Sequence, residues 1–284
     1  MYGAILGDMI GQPYEFAGIK TTDFPLLGRD NRYTDDSVMT VAVADALLSA
    51  EEGEGDAAIE KRLIRSLQKF GNDHIDAGYG GRFFRWLQSP DPKPYHSFGN
   101  GSAMRVSAVG WLYPEDLEKT LHRAALSAAI THDHPEGIRA AKAAAAAIWL
   151  ANDGESKDGI HDYMDRHYYA VDLTCGQIRP SYSFDVTAQG TMPAALAAFY
   201  DSSNFEDAVR LGVSLGGDSD TIGAITGAIA EAFYGIPHRL KKACRERLPE
   251  DMLAVLDRFE ERLIQMQPVN ITPKDRGRKR DSFL

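Results

Sequence analysis

The sequence predicts an all-α fold, built as one compact helical bundle. Apolar residues recur at helical spacing in eight segments, with Gly, Pro or Asp between them. These segments are 38–50, 59–70, 117–130, 138–151, 192–200, 205–215, 222–234 and 252–266. Strand signals are confined to 168–173 and 182–186, two short Tyr- and Val-containing stretches that could equally be loops. No internal repeat and no break in composition divides the chain, so a single domain is expected.

Composition narrows the classes of function. The 284 residues are 44% hydrophobic, which is ample for a sizeable core. A net charge of −10 argues against general nucleic-acid binding, because no basic surface is available to neutralise phosphates along a duplex. Only Cys175 and Cys244 are present, without a CxxC pair, and Asp8 interrupts the apolar start. We therefore expect a cytoplasmic protein that makes no use of disulfides or a secretory leader.

Two further segments bear on partners. The Ala-rich stretch 140–150 is too short to span a bilayer and is expected to be a buried helix, so no membrane partner is predicted. The stretch 273–284 contains five Lys and Arg residues and almost no apolar ones, so it is predicted to be a mobile basic tail after a domain of residues 1–272. A contact of this tail with RNA or a protein is the alternative. The chain itself is expected to be a monomer.

Two short acidic motifs lie far apart in the chain, and each stands at the beginning of an apolar helix. They are TDDS at 34–37 and GGDSDT at 216–221. Together they supply four carboxylates and two threonine hydroxyls, from Thr34, Asp35, Asp36, Asp218, Asp220 and Thr221. An all-oxygen set of this kind suits a hard divalent cation such as Mg²⁺ or Ca²⁺ rather than zinc. If the fold brings the motifs together, a metal-dependent enzyme is indicated.

Helix capping is the simpler explanation of each motif, because Ser, Thr and Asp commonly begin helices. A cap needs only one oxygen, however, and neighbouring carboxylates repel one another unless something positive neutralises them. The second motif is also followed by Gly223 and Gly227 within the predicted helix, where each glycine costs about 1 kcal/mol relative to alanine. Such glycines indicate the close approach of another backbone or of a ligand.

Other small motifs suggest a ligand pocket. Glycines at 3, 7 and 11 strip one face of the first helix and predict close helix packing. Glu15 follows that helix in an aromatic setting, where an ordinary exposed carboxylate is the alternative. The Gly99-Asn100-Gly101 turn could cradle a phosphate or a ribose, although any tight turn before a helix looks similar. His132 is a candidate for ligand contact, whereas His134 is expected to be a hydrogen-bonded loop residue.

Several familiar catalytic motifs are missing from the sequence. There is no GxSxG nucleophile elbow and no GxxxxGK[ST] phosphate-binding loop. The Cys and His residues that a zinc site would need are not at motif spacing. Nucleotide recognition, if present, must use another arrangement.

The order of these motifs resembles that of the ADP-ribosylglycohydrolase family, the group that includes dinitrogenase-reductase-activating glycohydrolase. The stretches that carry the resemblance are GAILGDMIGQPYEF, YTDDSVMT, GYG, SFGNGSAMRVSAVG, THDHPEG and SLGGDSDTIGAITGAIAEAFYG, within about residues 3–237. The resemblance implies a compact all-α bundle whose cleft holds two Mg²⁺ ions, with Mn²⁺ as the alternative. It also implies hydrolysis of the glycosidic bond between ADP-ribose and an acceptor.

Site residues follow from the resemblance position by position. It implies metal ligation by Thr34, Asp35, Asp36, Asp218, Asp220 and Thr221. It places Glu15 at the position of the family's catalytic or gating glutamate, while Asp36 or Asp220 could carry the proton instead. It implies an ADP-ribose pocket lined by Gly80, Ser97, Gly99, Asn100, Gly101 and His132. The acceptor stays open among arginine, serine, nucleic-acid ends and acetylated ADP-ribose, and the competing interpretation is a relative that binds ADP-ribose, or serves structurally, without turnover.

Overall fold

The computed structural model describes residues 1–51 and 53–266, and its framework there is entirely helical. These residues form fifteen α-helices and no β-strand, with one isolated bridge between Gly99 and Thr187. The all-α prediction is confirmed, and the possible strands at 168–173 and 182–186 are loops. The predicted boundary at 272 and the basic tail 273–284 lie outside the described residues.

The helices follow one another with short connections. Their bounds are α1 Tyr2–Gly11, α2 Asp35–Leu48, α3 Asp56–Asp73, α4 Gly81–Leu87, α5 Gly101–Met104, α6 Val109–Leu112, α7 Leu117–Ala129, α8 Pro135–Asp153, α9 Lys157–His167, α10 Cys175–Ile178, α11 Ala188–Asp201, α12 Phe205–Ser214, α13 Ser219–Tyr234, α14 His238–Arg245 and α15 Glu250–Met266. A short 3₁₀ turn, Gln12–Tyr14, extends α1. No helix in the described part of the chain has both the length and the apolarity needed to cross a membrane.

The first helix and α13 form the centre of the bundle. Every residue of α1 is buried, and α13 is buried over its first three turns. Around this pair pack α2, α8, α11 and α12. The Ala-rich part of α8 is buried as predicted, and α8 begins at Pro135, whose fixed φ suits the first helical position. The short α5 is buried as well. Most of the other helices cover the outside, and they include the strongly polar α14, which the sequence pattern did not reveal.

Close packing of α1 on α13 depends on glycine. A Cβ on Gly7 would overlap the Gly223 carbonyl, and one on Gly3 would overlap the Gly227 carbonyl. The pairing is antiparallel, because Gly11 near the end of α1 meets Ser219 at the beginning of α13. The predicted close approach is therefore present. It brings the end of α1, and Glu15 just beyond it, next to the second acidic motif.

Candidate active site

The beginning of α2 is held by a buried carboxylate from α1. Asp8 accepts hydrogen bonds from the Thr34 backbone N–H at 2.9 Å and from its hydroxyl at 2.8 Å. It also accepts from the Ser37 N–H at 3.1 Å and from the Ser37 hydroxyl. Thr34 caps the helix by accepting from the Asp36 N–H. The first motif thus does contain a helix cap, but the cap uses only its threonine, and both aspartates remain available.

Sequence reasoning did not identify Asp8 as part of the site. Its signal in the sequence was a single acid inside an otherwise apolar, glycine-rich helix, and such a charge is almost never fully buried without partners. Burial raises the pKa of Asp8 to about 6, although its four hydrogen bonds favour the charged form. Asp8 lies on α1, the helix that packs on α13 through glycine, and its hydrogen bonds hold the TDDS motif in place.

The second motif begins in a loop that only glycine adopts easily. Gly216 and Gly217 both have φ of +75°, in the left-handed region. Asp218 then occupies the N-cap of α13, but its side chain makes no capping hydrogen bond. Its carboxylate accepts instead from the Asn100 side-chain amide at 2.6 Å. Capping therefore does not explain Asp218.

The fold brings the two motifs together. The Thr221 hydroxyl of the second motif donates to Asp36 of the first at 3.3 Å. One carboxylate oxygen each from Glu15, Asp218 and Asp220 lie within 4.8 Å of one another. Five acids and two threonines, contributed by the end of α1 and the beginnings of α2 and α13, consequently surround one end of a cleft.

The electrostatics of this cluster fit a divalent cation. Within residues 1–51 and 53–266, no Lys or Arg forms an ion pair with any of these acids. One oxygen of Asp36 is buried without a hydrogen-bond partner. Burial, followed by repulsion from neighbouring carboxylates, raises the pKa of Glu15 to about 7 and of Asp35 to about 8. The same causes raise the pKa of Asp36 and Asp220 well above the usual value. A hard metal ion would neutralise carboxylates that repel one another and that no Lys or Arg side chain of the described residues pairs with.

A cavity of about 430 Å³, here called the main cavity, opens from the acidic cluster. Its other end is formed by the loop before α5, by Gly80 at the beginning of α4 and by His132. The Asn100 N–H donates to the Val186 carbonyl at 2.9 Å, which fixes the α5 loop against the loop before α11. A Cβ on Gly101 would lie only 3.2 Å from Nε2 of His132, so the absence of a side chain leaves this end open.

A buried arginine orients His132. Arg105 is 1% exposed and donates to the Thr131 hydroxyl at 2.8 Å, and that hydroxyl lies 2.7 Å from Nδ1 of His132. A guanidinium can only donate, so the Thr131 hydroxyl accepts from Arg105. Its own proton has two acceptors in reach, Nδ1 of His132 at 2.7 Å and the Ala128 carbonyl at 3.5 Å, and the shorter contact favours Nδ1. Burial and the positive charges of Arg105 and Arg82 lower the pKa of His132 well below its usual range. This arrangement favours the tautomer of neutral His132 with its hydrogen on Nε2, the nitrogen that lies beside Gly99 and Gly101 at the main cavity.

All thirteen residues predicted for the site line the main cavity. They are Glu15, Thr34, Asp35, Asp36, Gly80, Ser97, Gly99, Asn100, Gly101, His132, Asp218, Asp220 and Thr221. His134, predicted to be a hydrogen-bonded loop residue, is the N-cap of α8 and accepts from the Glu136 N–H at 3.1 Å. Four residues that the sequence did not predict also contribute. Tyr95, Arg105 and Val186 line the main cavity, and Asp8 holds the TDDS motif in place.

A larger hollow of about 630 Å³ lies elsewhere, between the ends of α2 and α15 and the beginning of α7. It contains none of the predicted residues. Three of its charged residues form ion pairs with residues outside the lining, namely Glu54 with Arg62, Arg123 with Asp56 and Arg258 with Asp45. The smaller main cavity, with its unpaired acids, is therefore the candidate active site.

Comparisons with known proteins agree with this geometry. The sequence profile of the ADP-ribosylglycohydrolase family matches residues 1–270. The chain is 23% identical to the ADP-ribosylarginine hydrolase Tri1 of Pseudomonas putida, over 83% of this chain and 70% of that protein. It is 26% identical to the human ADP-ribosylhydrolase ARH3, over 89% of this chain and 90% of that protein.

Among solved structures, the fold matches a chain described as an ADP-ribosylglycohydrolase-related protein complex. The TM-score is 0.63 at 25% sequence identity, and the match covers 92% of this chain and 97% of the other. The chain belongs to the ADP-ribosylglycohydrolase family, and it is a hydrolase of ADP-ribosyl glycosidic bonds.

Proposed function

We propose that this ADP-ribosylglycohydrolase family member cleaves ADP-ribose from an acceptor with the help of two Mg²⁺ ions, for which Mn²⁺ can substitute. The observation that carries the proposal is the convergence of both acidic motifs at one end of the main cavity, with no basic side chain of the described residues paired to them. A cavity of about 430 Å³ falls within the range of small-molecule and cofactor sites.

Six residues would hold the ions. These are Thr34, Asp35 and Asp36 at the beginning of α2, and Asp218, Asp220 and Thr221 at the beginning of α13. Ions bound there would polarise the hydroxyls of the ribose and lower the pKa of a bound water. Asp8 and Asn100 orient the ligands, since Asp8 fixes the Thr34 backbone and Asn100 fixes the Asp218 carboxylate.

The open end of the cavity would bind the nucleotide part of the substrate. Nε2–H of His132 is a donor fixed in direction by Thr131 and Arg105, and it suits a phosphate or ribose oxygen. Gly80, Gly99 and Gly101 lack side chains where the ligand would approach. Ser97 supports this loop by accepting from the Gly99 N–H at 3.2 Å.

Glu15 is proposed as the proton carrier. It is half-buried at the boundary between the acidic cluster and solvent, and burial raises its pKa to about 7, near the pH at which a general base or acid is effective. In hydrolysis the oxygen of water bonds to C1 of the ribose, and the bond from C1 to the acceptor breaks. Glu15 takes a proton from the water and gives it to the departing acceptor, which leaves Glu15 ionised again. Asp36 and Asp220 lie deeper, and Asp36 already accepts from Thr221.

The proposal is tested by metal binding and turnover together. Calorimetric titration of chelator-treated protein should show uptake of Mg²⁺ that Asp35→Asn and Asp218→Asn abolish. Mg²⁺-dependent release of ADP-ribose should be seen from at least one of arginine-linked, serine-linked and nucleic-acid-linked substrates. Binding of free ADP-ribose without release from any substrate would instead favour a binding relative without turnover.

Glu15→Gln tests the proton carrier. At saturating Mg²⁺ this variant should retain ADP-ribose affinity and lose roughly 10²- to 10⁴-fold in kcat. The control is Asp30→Asn, a change of the same kind at an exposed position. A wild-type kcat for Glu15→Gln would transfer the role to Asp36 or Asp220.

We further propose that the protein is a cytoplasmic monomer with one domain, residues 1–272. Analytical ultracentrifugation should give a molecular mass equal to that of a single chain.

A further inference from the structure

We propose that a hollow beside the nucleotide end of the main cavity binds an additional phosphate group, so that the enzyme prefers ADP-ribosyl groups that carry a 2′-phosphate on the ribose of the adenosine. This inference rests on the proposed function and deepens it. The hollow, here called the basic hollow, has a volume of about 380 Å³ and is lined by Arg82, Arg85, Asp91, Lys93 and Tyr95 among others.

Two residues join the basic hollow to the main cavity, because Arg82 and Tyr95 line both. Arg82 lies in the first turn of α4 and donates to the Tyr95 carbonyl, and its guanidinium lies 4.8 Å from the centre of the Tyr95 ring. The centres of the Tyr95 and His132 rings are 5.9 Å apart. The basic hollow is therefore continuous with the end of the main cavity that contains His132.

The order of the groups in ADP-ribose determines which of them reaches this end. The scissile bond is on the first ribose, which the proposed function places at the acidic cluster. The pyrophosphate follows, and the adenosine is the last group. If the nucleotide part extends toward His132, the adenosine is the group that meets Arg82 and Tyr95. A substituent on its ribose would then enter the basic hollow.

The charge of the basic hollow suits an anion. It contains three cationic side chains, those of Arg82, Arg85 and Lys93, and the single acid Asp91, which pairs with Lys93 at 2.8 Å. Among the ion pairs formed by residues 1–51 and 53–266, none joins Arg82 or Arg85 to an acid. The chain as a whole has a net charge of −10, so this local excess of cations runs against its composition. Two guanidinium groups without an acidic partner are free to bind phosphate oxygens.

A 2′-phosphate is the substituent that matches this position. Dinucleotide-binding proteins accommodate a 2′-phosphate on the adenosine ribose with a nearby arginine. An unmodified hydroxyl would leave the Arg85 guanidinium in water, so plain ADP-ribose should gain nothing from it. The reaction that supplies the preferred substrate is then an ADP-ribosyl transfer whose donor is a dinucleotide with this 2′-phosphate.

Two ligands that differ by one phosphate test the proposal. Calorimetry at saturating Mg²⁺ should compare ADP-ribose with ADP-ribose 2′-phosphate, and we expect wild type to bind the second roughly 3- to 30-fold more tightly. Arg85→Gln should reduce this ratio roughly 2- to 5-fold, with the Kd of ADP-ribose unchanged because Arg85 does not line the main cavity. Asp91→Asn should increase the ratio, because it removes the acid of the basic hollow and frees Lys93.

Opposite effects of these two substitutions are what a charge contact requires, and a merely structural role would not produce them. Both effects should shrink at about 0.5 M salt, since exposed charges are screened. The matched control is Arg166→Gln, which removes the same charge from an exposed position on α9 that lines neither cavity. It should leave both Kd values unchanged.

Turnover separates this proposal from the proposed function. Conjugates of one acceptor, with and without the 2′-phosphate, should be offered to wild type and to Arg85→Gln. The phosphorylated conjugate should have the lower KM in wild type, and Arg85→Gln should narrow the difference without a change in kcat. Equal Kd values of the two ligands in wild type, or a ratio that Arg85→Gln does not reduce, would overturn the basic hollow and leave the hydrolase intact. A preference for the 2′-phosphate without release from any conjugate would contradict the hydrolase and leave the basic hollow standing.

Discussion

The two walls of the active site are built in opposite ways. The back wall is the contact of α1 with α13, where the backbones touch through glycine and every residue of α1 is buried. The front wall consists of the segments 12–34 and 182–187, in which the side chains of Glu15, Phe16 and Phe184 are partly or fully exposed. Both acidic motifs are positioned by the back wall. The proposed metal site is therefore determined by the core of the fold, whereas the front wall carries side chains that the core does not constrain.

The largest effect is expected from Gly7→Ala in the back wall. Its Cβ would overlap the Gly223 carbonyl, and neither backbone can move without shifting a whole helix. We expect the free energy of unfolding to fall by about 3 kcal/mol or more, although alanine is the better helix former by about 1 kcal/mol. Thermal unfolding should show a decrease of roughly 10 °C in Tm.

The control for this substitution is Gly55→Ala. Gly55 has an ordinary negative φ at the beginning of α3, and a Cβ there would meet nothing within 4 Å. Its Tm should fall by no more than about 3 °C, because alanine at an N-cap position costs roughly 1 kcal/mol or less relative to glycine. Equal stability of both variants would show that the back wall is more adaptable than its geometry indicates.

Asp8→Asn should be the next largest change, and it should act on the metal rather than on the nucleotide. An amide nitrogen would replace one acceptor oxygen opposite the donors of Thr34 and Ser37. We expect Mg²⁺ affinity to fall roughly 10- to 100-fold, as is usual when a group that orients a metal ligand is lost. Calorimetry would measure this, with Asp30→Asn as the exposed control. Unchanged Mg²⁺ affinity would mean that the TDDS motif keeps its geometry without Asp8.

The acidic cluster should also make the stability of the metal-free protein depend on pH. Burial raises the folded-state pKa of Glu15 to about 7 and of Asp35 to about 8, whereas carboxylates in the unfolded chain titrate near 4. The folded state then binds more protons than the unfolded state between about pH 4 and 8, so stability falls as pH rises through this range.

Calorimetric scans of chelator-treated protein should show this trend as a Tm that decreases by a few degrees, on the order of 5 °C, from pH 6 to pH 8. Saturating Mg²⁺ should flatten the dependence, because a bound cation favours the ionised carboxylates. Asp35→Asn should reduce it, since one titrating group is removed. A Tm that rises over the same range without Mg²⁺ would contradict the assigned pKa directions.

The smallest effect is expected away from the back wall, from Thr131→Val. The substitution removes the hydroxyl that fixes His132 but keeps a similar volume. Loss of one hydrogen bond should weaken ADP-ribose binding roughly 2- to 10-fold. Nitrogen-detected NMR of the imidazole should show a mixture of tautomers in the variant and hydrogen on Nε2 in wild type. Hydrogen on Nδ1 in wild type would contradict the relay from Arg105.

The core of the fold could be predicted well from the sequence, because the helical spacing of apolar residues and the short glycine and acidic motifs are local signals. The glycines of α1 and the two acidic motifs could be read directly, and the structure shows that they meet. Asp8 was missed because a lone acid in an apolar helix gives no indication of its partners, which come from α2. Arg105 was missed for a similar reason, since its partners Ser127 and Thr131 follow only after another helix.

The front wall could not be predicted for a different reason. Its loops are held by contacts between distant segments, such as the Asn100 N–H with the Val186 carbonyl and Lys20 with the Tyr182 carbonyl. Stacking of Phe16 on Phe184 depends on both loops being in place. The segment 182–186 was therefore ambiguous between strand and loop until its partners were known.

The exposed position of Phe184 has a consequence for how this enzyme could change over evolutionary time. Its ring stacks on Phe16 but contributes little to the core, so replacing it should be nearly neutral for folding. Its neighbour Val186, two residues on, lines the main cavity. A mutation at position 184 would therefore change the surface beside Glu15 while the acidic cluster and the pocket at His132 persist. The scaffold is rigid where the acidic motifs meet and permissive at the rim of the cleft, so the rim can vary without loss of the fold.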